Sequence, residues 1–405
     1  MSASSPPRWL AILGIGEDGV EGLTPAARAL LRGAEIVFGA PRHLALAEPL
    51  LRGEARAWPR PLERAFPDLL ALRPRAVAVL ASGDPYCYGV GAVLARVVPA
   101  AETLCLPAPS AFSLACARLG WALAEVTTLS FCGRPVAALI PHLQPGSRVL
   151  ALSADGATPA AVATLLRARG FGRSRLHILE SLGGPQERVR VQRTDEDIPD
   201  VAPLNLLAIE VAAAPGATVL PLASGLPDRL FENDGQLTKQ EIRAATLAAL
   251  APRQGEMLWD VGCGSGAIAI EWLLRHPSMR AVAIEARADR SARAARNAAN
   301  LGVPRLDIVE GAAPAALAGL PAPDAVFFGG GASTEAIAMA WAALRIGGRV
   351  VANAVTVQTE SLLFESHARF GGTLRRIAIE RLEPLGTHHA FRPALPVTQW
   401  VAEKS

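Results

Sequence analysis

Lysine is nearly missing from this chain: of 40 basic residues only Lys239 and Lys404 are lysines. Codon bias in a GC-rich genome accounts for that, but the consequence holds whatever the origin. Any anionic ligand will be held by guanidinium forks, which grip carboxylates through two parallel hydrogen bonds. Cysteine is sparse and poorly spaced for structure. Cys87, Cys105, Cys116, Cys132 and Cys263 are odd in number and form no C-x-x-C pair. This argues against a disulfide framework or a zinc site and for reduced thiols in the cytoplasm. An excess of one charge is lacking too: 40 basic and 37 acidic residues leave +3, split almost evenly between the halves. No basic stripe or tail therefore points to nucleic acid as a partner. Long apolar runs are also absent. Trp9–Ile15 runs straight into glycines, too short for a secretion signal. The most apolar later stretch, Leu204–Leu226, is broken by Glu210, Pro215, Gly216 and Pro221, so no membrane span is expected.

What is present is core. Apolar residues make up 51% and charged ones 19%, and 405 residues exceed what one core usually organises, about 250–300. Two or three domains are expected. Residues 1–7 are a polar, proline-bearing lead expected to be disordered. Trp9–Gly14 reads as a buried strand entering the turn Gly14-Ile15-Gly16-Glu17-Asp18-Gly19, and Thr24 with Pro25 starts a helix as cap and first helical residue. A second strand and glycine turn follow at Arg75–Pro85, ending Ser82-Gly83-Asp84-Pro85, and Ser110 opens a helix to Arg118. From Ser147 the alternation restarts, through strands at Arg148–Leu152, Leu176–Glu180 and Asn205–Val211. The charged stretch Arg188–Asp200 reads as a polar hairpin or loop. Residues 212–226, small and bearing proline and glycine, read as an interdomain linker.

The most informative stretch is Leu258–Glu271. An apolar run ends in Asp260, glycines follow at Gly262, Gly264 and Gly266, and a helical pattern starts at once. Glycine lets backbone approach a ligand closely, and the first free N–H groups of a helix point at it. The spacing is G-x-G-x-G, not the dinucleotide G-x-G-x-x-G. One βα unit later, Ala281–Glu285 is a strand ending in an acid, placed to accept hydrogen bonds from both ribose hydroxyls of an adenosine. Strands and helices then alternate as in a doubly wound sheet: Leu306–Glu310, the turn Gly311-Ala312-Ala313-Pro314, Ala325–Phe328 with Gly329-Gly330-Gly331 after it, Val350–Asn353, and strands near 374–379 and 398–402. Thr238, three residues before Glu241, fits a capping box for the helix Ile242–Leu250.

The stretch 258–285 resembles the nucleoside-binding motif of class I S-adenosylmethionine (SAM) methyltransferases. The two N-terminal loops resemble a second SAM-binding family, the tetrapyrrole methylases, over roughly residues 8–211; Glu17 stands where that family usually has proline. One family joins such halves in this order, the bifunctional precorrin C5,15-methyltransferases of cobalamin biosynthesis, and the whole chain is similar to it. The resemblance implies a tetrapyrrole-methylase-like α/β domain of two subdomains at 8–211 and a doubly wound, Rossmann-like class I domain at 227–405. It implies SAM-dependent C5 methylation by the first, C15 methylation with decarboxylation of a ring-C acetate by the second, a precorrin substrate, a precorrin-8 product, and self-association. It implies one SAM at Gly14, Gly16, Gly83, Asp84, Ser110 and Ala111. A second SAM would lie at Asp260, Gly262, Cys263, Gly264, Ser265, Gly266, Glu285, Gly311, Ala312 and Ala313, with Thr238 serving the pocket or only its helix. Gly329, Gly330 and Gly331, bare of side chains, leave room for a large flat carboxylated ligand, with Arg381 and Arg392 as substrate arginines. His388 and His389 are the candidates for assisting proton transfer; with no third ligand nearby, no metal is expected. A SAM methyltransferase for another substrate such as RNA, or a non-catalytic SAM or tetrapyrrole sensor, are the rival readings.

Overall fold

The structure is a computed structural model that describes residues 8–405, so the lead at 1–7 lies outside the described residues. It divides into two compact units. One runs to Val136 and resumes at Gln144–Thr218; the other takes Ala137–Leu143 and Val219–Ser405. The stretch 212–226 is thus shared out at Thr218. The amide of Ala214 bonds the Gly170 carbonyl in the first unit, and Leu220 and Leu226 are buried in the second.

The first unit holds two five-stranded sheets. Strands β1 (Leu10–Ile15), β2 (Ile36–Gly39), β3 (Glu54–Ala57), β4 (Val77–Ser82) and β5 (Thr103–Leu106) form one in the order β3-β2-β4-β1-β5. All its pairings are parallel. β1 and β2 are buried along their whole length, which is why they read as unbroken apolar runs instead of alternating ones. Thr24 caps the helix Pro25–Gly33, accepting from the Ala27 amide, with Pro25 at the first turn. The second sheet contains β6 (Thr127–Ser130), β7 (Arg148–Leu152), β8 (Arg175–Glu180), β9 (Arg188–Arg193) and β10 (Asn205–Glu210) in the order β6-β7-β10-β8-β9. The charged stretch at 188 begins as its edge strand. Arg188 and Arg190 reach back to the buried Glu180 carboxylate at 2.8 and 3.0 Å.

The second unit is built on one seven-stranded sheet. Its members are β11 (Met257–Val261), β12 (Arg280–Glu285), β13 (Asp307–Glu310), β14 (Ala325–Phe328), β15 (Arg349–Ala354), β16 (Thr373–Ile377) and, last in the chain, Val397–Glu403. Between these last two lies an antiparallel hairpin, β17 (Glu380–Leu385) and β18 (His388–Pro393), so the final strand is β19. The order is β13-β12-β11-β14-β15-β19-β16, parallel through β15, with β19 inserted antiparallel between β15 and β16. Trp259, Phe328 and Trp400, all fully buried, belong to one core beside the sheet. The capping box expected at Thr238 does not form. The helix is Gln240–Leu250, with Lys239 at its N-cap and no side-chain cap. Thr238 stands one position too early for its hydroxyl to reach the first turn, and its carbonyl accepts from Arg243 instead.

Candidate active sites

In the first unit the carboxyl ends of β1 and β4 lie side by side, Ile15 opposite Ser82. This is the edge of an open parallel sheet where ligands bind. A cavity of about 480 Å³ opens there, lined by Gly16, Gly83, Asp84, Ser110 and Ala111 together with residues of the second sheet such as Leu152 and Leu206. The structure therefore gathers five of the six N-terminal residues around one cavity. Gly14 serves the backbone: a Cβ there would sit 2.0 Å from the Gly83 carbonyl oxygen. Gly83 holds a left-handed φ of +53°, and Asp84 Oδ1 accepts from the Tyr86 amide at 2.9 Å, fixing the loop. Ser110 caps the helix Ala111–Leu119 by accepting from the Ser113 amide at 3.1 Å.

The same cavity is lined by Glu17 and by Tyr88, which follows the Gly83–Asp84 turn, and by two groups that sequence reading passed over, Arg42 and His43. Arg42 forms an ion pair with Glu17, the residue that stands in place of the usual proline. Arg42 and His43 both lie 2.8 Å from Ser82 Oγ. Burial, with the Arg42 charge beside it, lowers His43 to about 4, so its imidazole is neutral near pH 7. Pro41-Arg42-His43 directly after β2 was the only local signal. It has no motif spacing, because its partner Ser82 lies 39 residues away.

In the second unit, β12, β11 and β14 end together: Val261 is opposite Ile284 on one side and Phe328 on the other, and Glu285 is opposite Glu310. The glycine loop, Glu285, Gly311–Ala313 and Gly329–Gly331 thus meet at one edge. Gly262, Gly264 and Gly266 all have positive φ, +69°, +57° and +75°. At Gly264 a built Cβ meets nothing nearer than the Gln236 carbonyl at 3.8 Å, so that glycine is required by its backbone and leaves open space beside it. Gly262 packs on Gly330, whose carbonyl oxygen would lie 2.4 Å from an added Cβ. The triple glycine consequently serves packing of the first loop as well as leaving room. Glu285 is buried, accepting from the amides of Gly264 at 2.9 Å and Arg287 at 3.1 Å. Asp260 is turned into the core, where Oδ2 accepts from the Ala269 amide at 3.0 Å and Oδ1 has no partner. Burial raises its carboxyl to about 7. Ser265 and Cys263 are buried, and burial pushes the Cys263 thiol well above its ordinary range, so it is no nucleophile. Gly311 donates to the Glu285 carbonyl at 2.8 Å, while Ala312 is exposed and Ala313 half-buried beside it.

Arg381 and Arg392 face each other across the β17–β18 hairpin. Each has a carboxylate partner in place, Glu241 at 2.6 Å and Glu383 at 3.5 Å. His388 and His389 are exposed at the turn end of the same hairpin. Among the described residues no group of three or more His, Cys, Asp or Glu is arranged to hold a metal ion. No helix among them is long and apolar enough to cross a membrane.

The family pattern for tetrapyrrole (corrin/porphyrin) methylases matches residues 10–196, and that for the precorrin methyltransferase domain matches 229–404. A protein of Sinorhizobium sp named precorrin-6Y C(5,15)-methyltransferase (decarboxylating) is 55% identical over 394 residues, 97% of this chain and 95% of that one. One of the same name from Mycobacterium tuberculosis is 40% identical over 407 residues, 98% of this chain and all of the other. A crystal structure of the C-terminal domain of precorrin-6Y C5,15-methyltransferase from Rhodobacter capsulatus is 48% identical, covers 46% of this chain and 100% of its own, and has a TM-score of 0.44. With more than half the residues shared with the Sinorhizobium protein over nearly the full length of both, the chain belongs to the precorrin-6Y C(5,15)-methyltransferase (decarboxylating) family.

Proposed function

We propose that the chain methylates a precorrin at C5 and C15 with SAM and removes CO2 from the ring-C acetate, giving precorrin-8, the first methylation in the unit 8–211 and the second, with decarboxylation, in 227–405. The observation that carries this reading is the presence in one chain of two differently built ligand edges, each at the carboxyl ends of its own parallel strands. At the first, Gly16, Gly83, Asp84, Ser110 and Ala111 frame a cavity large enough for SAM. At the second, three glycines of positive φ and the buried carboxylate of Glu285 offer the nucleoside a backbone cradle and an acceptor. SAM, when bound, supplies an activated methyl group. The protein's own task is to hold the acceptor carbon in line at near-attack distance, which can lower the barrier by up to about 7–11 kcal/mol. An electron-rich macrocycle carbon is already nucleophilic, so neither edge needs a metal, a thiolate or a strong base. Arg381 and Arg392 would exchange their carboxylate partners for those of the substrate.

The test is incubation of the chain with SAM and a reduced precorrin substrate, followed by mass spectrometry of the tetrapyrrole. Two methyl groups gained and one CO2 lost is the expected product. Methylation of RNA in parallel, with the tetrapyrrole unchanged, would refute the reading, as would SAM binding without any turnover.

A further inference from the structure

A methyl group that replaces hydrogen on a macrocycle carbon must displace a proton, and the first unit carries a group built to take one. Ser82 ends β4, immediately before the Gly83–Asp84 loop, and its hydroxyl lines the cavity. β2 lies next to β4, so the residues just after β2 open beside it: Arg42 and His43, on the helix Pro41–Ala47. Hydrogen-bond chemistry then fixes every proton in the cluster. A guanidinium only donates, so His43 Nε2, 3.2 Å from an Arg42 nitrogen, is an acceptor and carries no proton. The imidazole proton is therefore on Nδ1, which is buried and has no hydrogen-bond partner. By the same rule Ser82 Oγ accepts from Arg42 at 2.8 Å and gives its own hydrogen to His43 Nε2 at 2.8 Å, taking the larger share of that nitrogen's single lone pair over the longer Arg42 contact. One oxygen lone pair remains for the cavity.

We propose that Ser82, backed by His43, is the proton acceptor for methylation in the N-terminal half, with Arg42 as the positioning residue. The proposal rests on the assignment of C5 methylation to that half. The new C–CH3 bond at C5 forms as the sulfonium S–CH3 bond breaks, and C5 becomes tetrahedral on a cationic macrocycle. The C5–H proton then passes to Ser82 Oγ while the Ser82 proton passes to His43 Nε2, and the C–H electron pair returns to the conjugated system. A carbon acid beside so extended a cation is strong, so a weak base suffices, and a neutral imidazole of low basicity is adequate. The imidazolium that forms lies next to Arg42, whose charge Glu17 already balances. That gives Glu17 a reason to stand at a turn position where proline would otherwise do.

The experiment uses the full chain with a substrate carrying deuterium at C5. Ser82→Ala removes the acceptor; His43→Gln keeps a hydrogen-bonding group near the Nε2 position but cannot take a proton. Each is expected to lower C5 methylation about 100-fold or more, in the range for loss of positioned acid–base help. The far-ultraviolet circular dichroism spectrum and CO2 release by the other half should be unchanged in both, which verifies folding. The decisive readout is isotopic. Deuterium at C5 should have no primary effect in the unaltered chain, where methyl transfer limits, and should slow the variants several-fold, where breaking of the C5–D bond has become limiting. Variants that methylate C5 at the normal rate, or slow ones without an isotope effect, overturn the role. If the unaltered chain itself adds no methyl group at C5, the assignment of that half fails and the proton acceptor falls with it.

Discussion

Asp260 shows how a single carboxyl group can brace a glycine loop while opposing its own burial. It is fully buried at the end of β11, ties the third residue of the helix Ala267–Leu274 through the Ala269 amide, and leaves its second oxygen without a partner. Burial first, and the charge of Glu285 second, raise it from 3.8 to about 7. Between those two values the folded chain holds a proton that the unfolded chain has released. This group's contribution to stability is therefore complete below 3.8 and is lost as pH rises through about 7. Asp260→Asn keeps an acceptor for Ala269 and removes the titration. Thermal unfolding across that interval should show the variant gaining on the unaltered chain as pH rises; a constant difference would mean that Asp260 does not titrate there. That Asp260 stands at the glycine loop was legible in the sequence, since it ends an apolar run before alternating glycines. Its inward orientation was not, because β11 is buried on both faces and shows no alternation from which a side chain's direction can be read. Arg42 and His43 had no legible role: their meaning comes from Ser82, brought to them only by pairing of β2 with β4.

Among elements, the helix Gln240–Leu250 is fastened by one arginine. Arg243 is fully buried, bonds Glu271 and Asp228 at 2.8 Å each, reaches the carbonyls of Leu226 and Thr238, and stacks over Phe231 at 4.7 Å. Glu271, on the helix that follows the glycine loop, also accepts from the amides of Gly225 and Leu226 at 2.7 and 2.9 Å. The pair thereby ties the segment 225–243, including Thr238, to the helix that follows the glycine loop. Arg243→Met leaves the Glu271 carboxylate buried and unpaired, and a loss of about 3–5 kcal/mol is expected. Hydrogen exchange over 225–243 should rise to match, with Arg243→Lys giving little rescue because a point charge cannot serve these separated partners. Unchanged protection would refute this. The sequence pattern predicted the start of this helix from Thr238 and Glu241, a local rule that the long-range Arg243 network overrides. It also passed over the β17–β18 hairpin. Pro384, Gly386 and Pro393 read as loop, and the strands lack an apolar period for core contact, since Leu382 and Phe391 pair with each other while remaining exposed. The middle of the seven-stranded sheet was legible because β11, β12, β14 and β15 are almost wholly buried runs set among helices; the antiparallel insertion of β19 leaves no such trace.

For the whole molecule the consequence is a count. Two units of unrelated topology each end a set of parallel strands in glycine turns, and nothing in either construction borrows from the other's motif. Calorimetric titration of the intact chain with S-adenosylhomocysteine should therefore find two sites per 405 residues. Two substitutions should remove them one at a time. Gly264→Val puts a branched side chain on a backbone at φ +57° and into the open space where the cofactor would lie. Gly83→Val does the same at φ +53°, where an added Cβ would also come within 2.7 Å of the Pro109 carbonyl oxygen. Each variant should retain one site with its affinity unaltered, and the products should divide accordingly. The Gly264 variant should add one methyl group and release no CO2; the Gly83 variant should add one and release it. A stoichiometry of one in the unaltered chain would remove the second site from the scheme. A Gly83 variant that loses decarboxylation would instead reverse the assignment of C5 and C15 chemistry between the two halves.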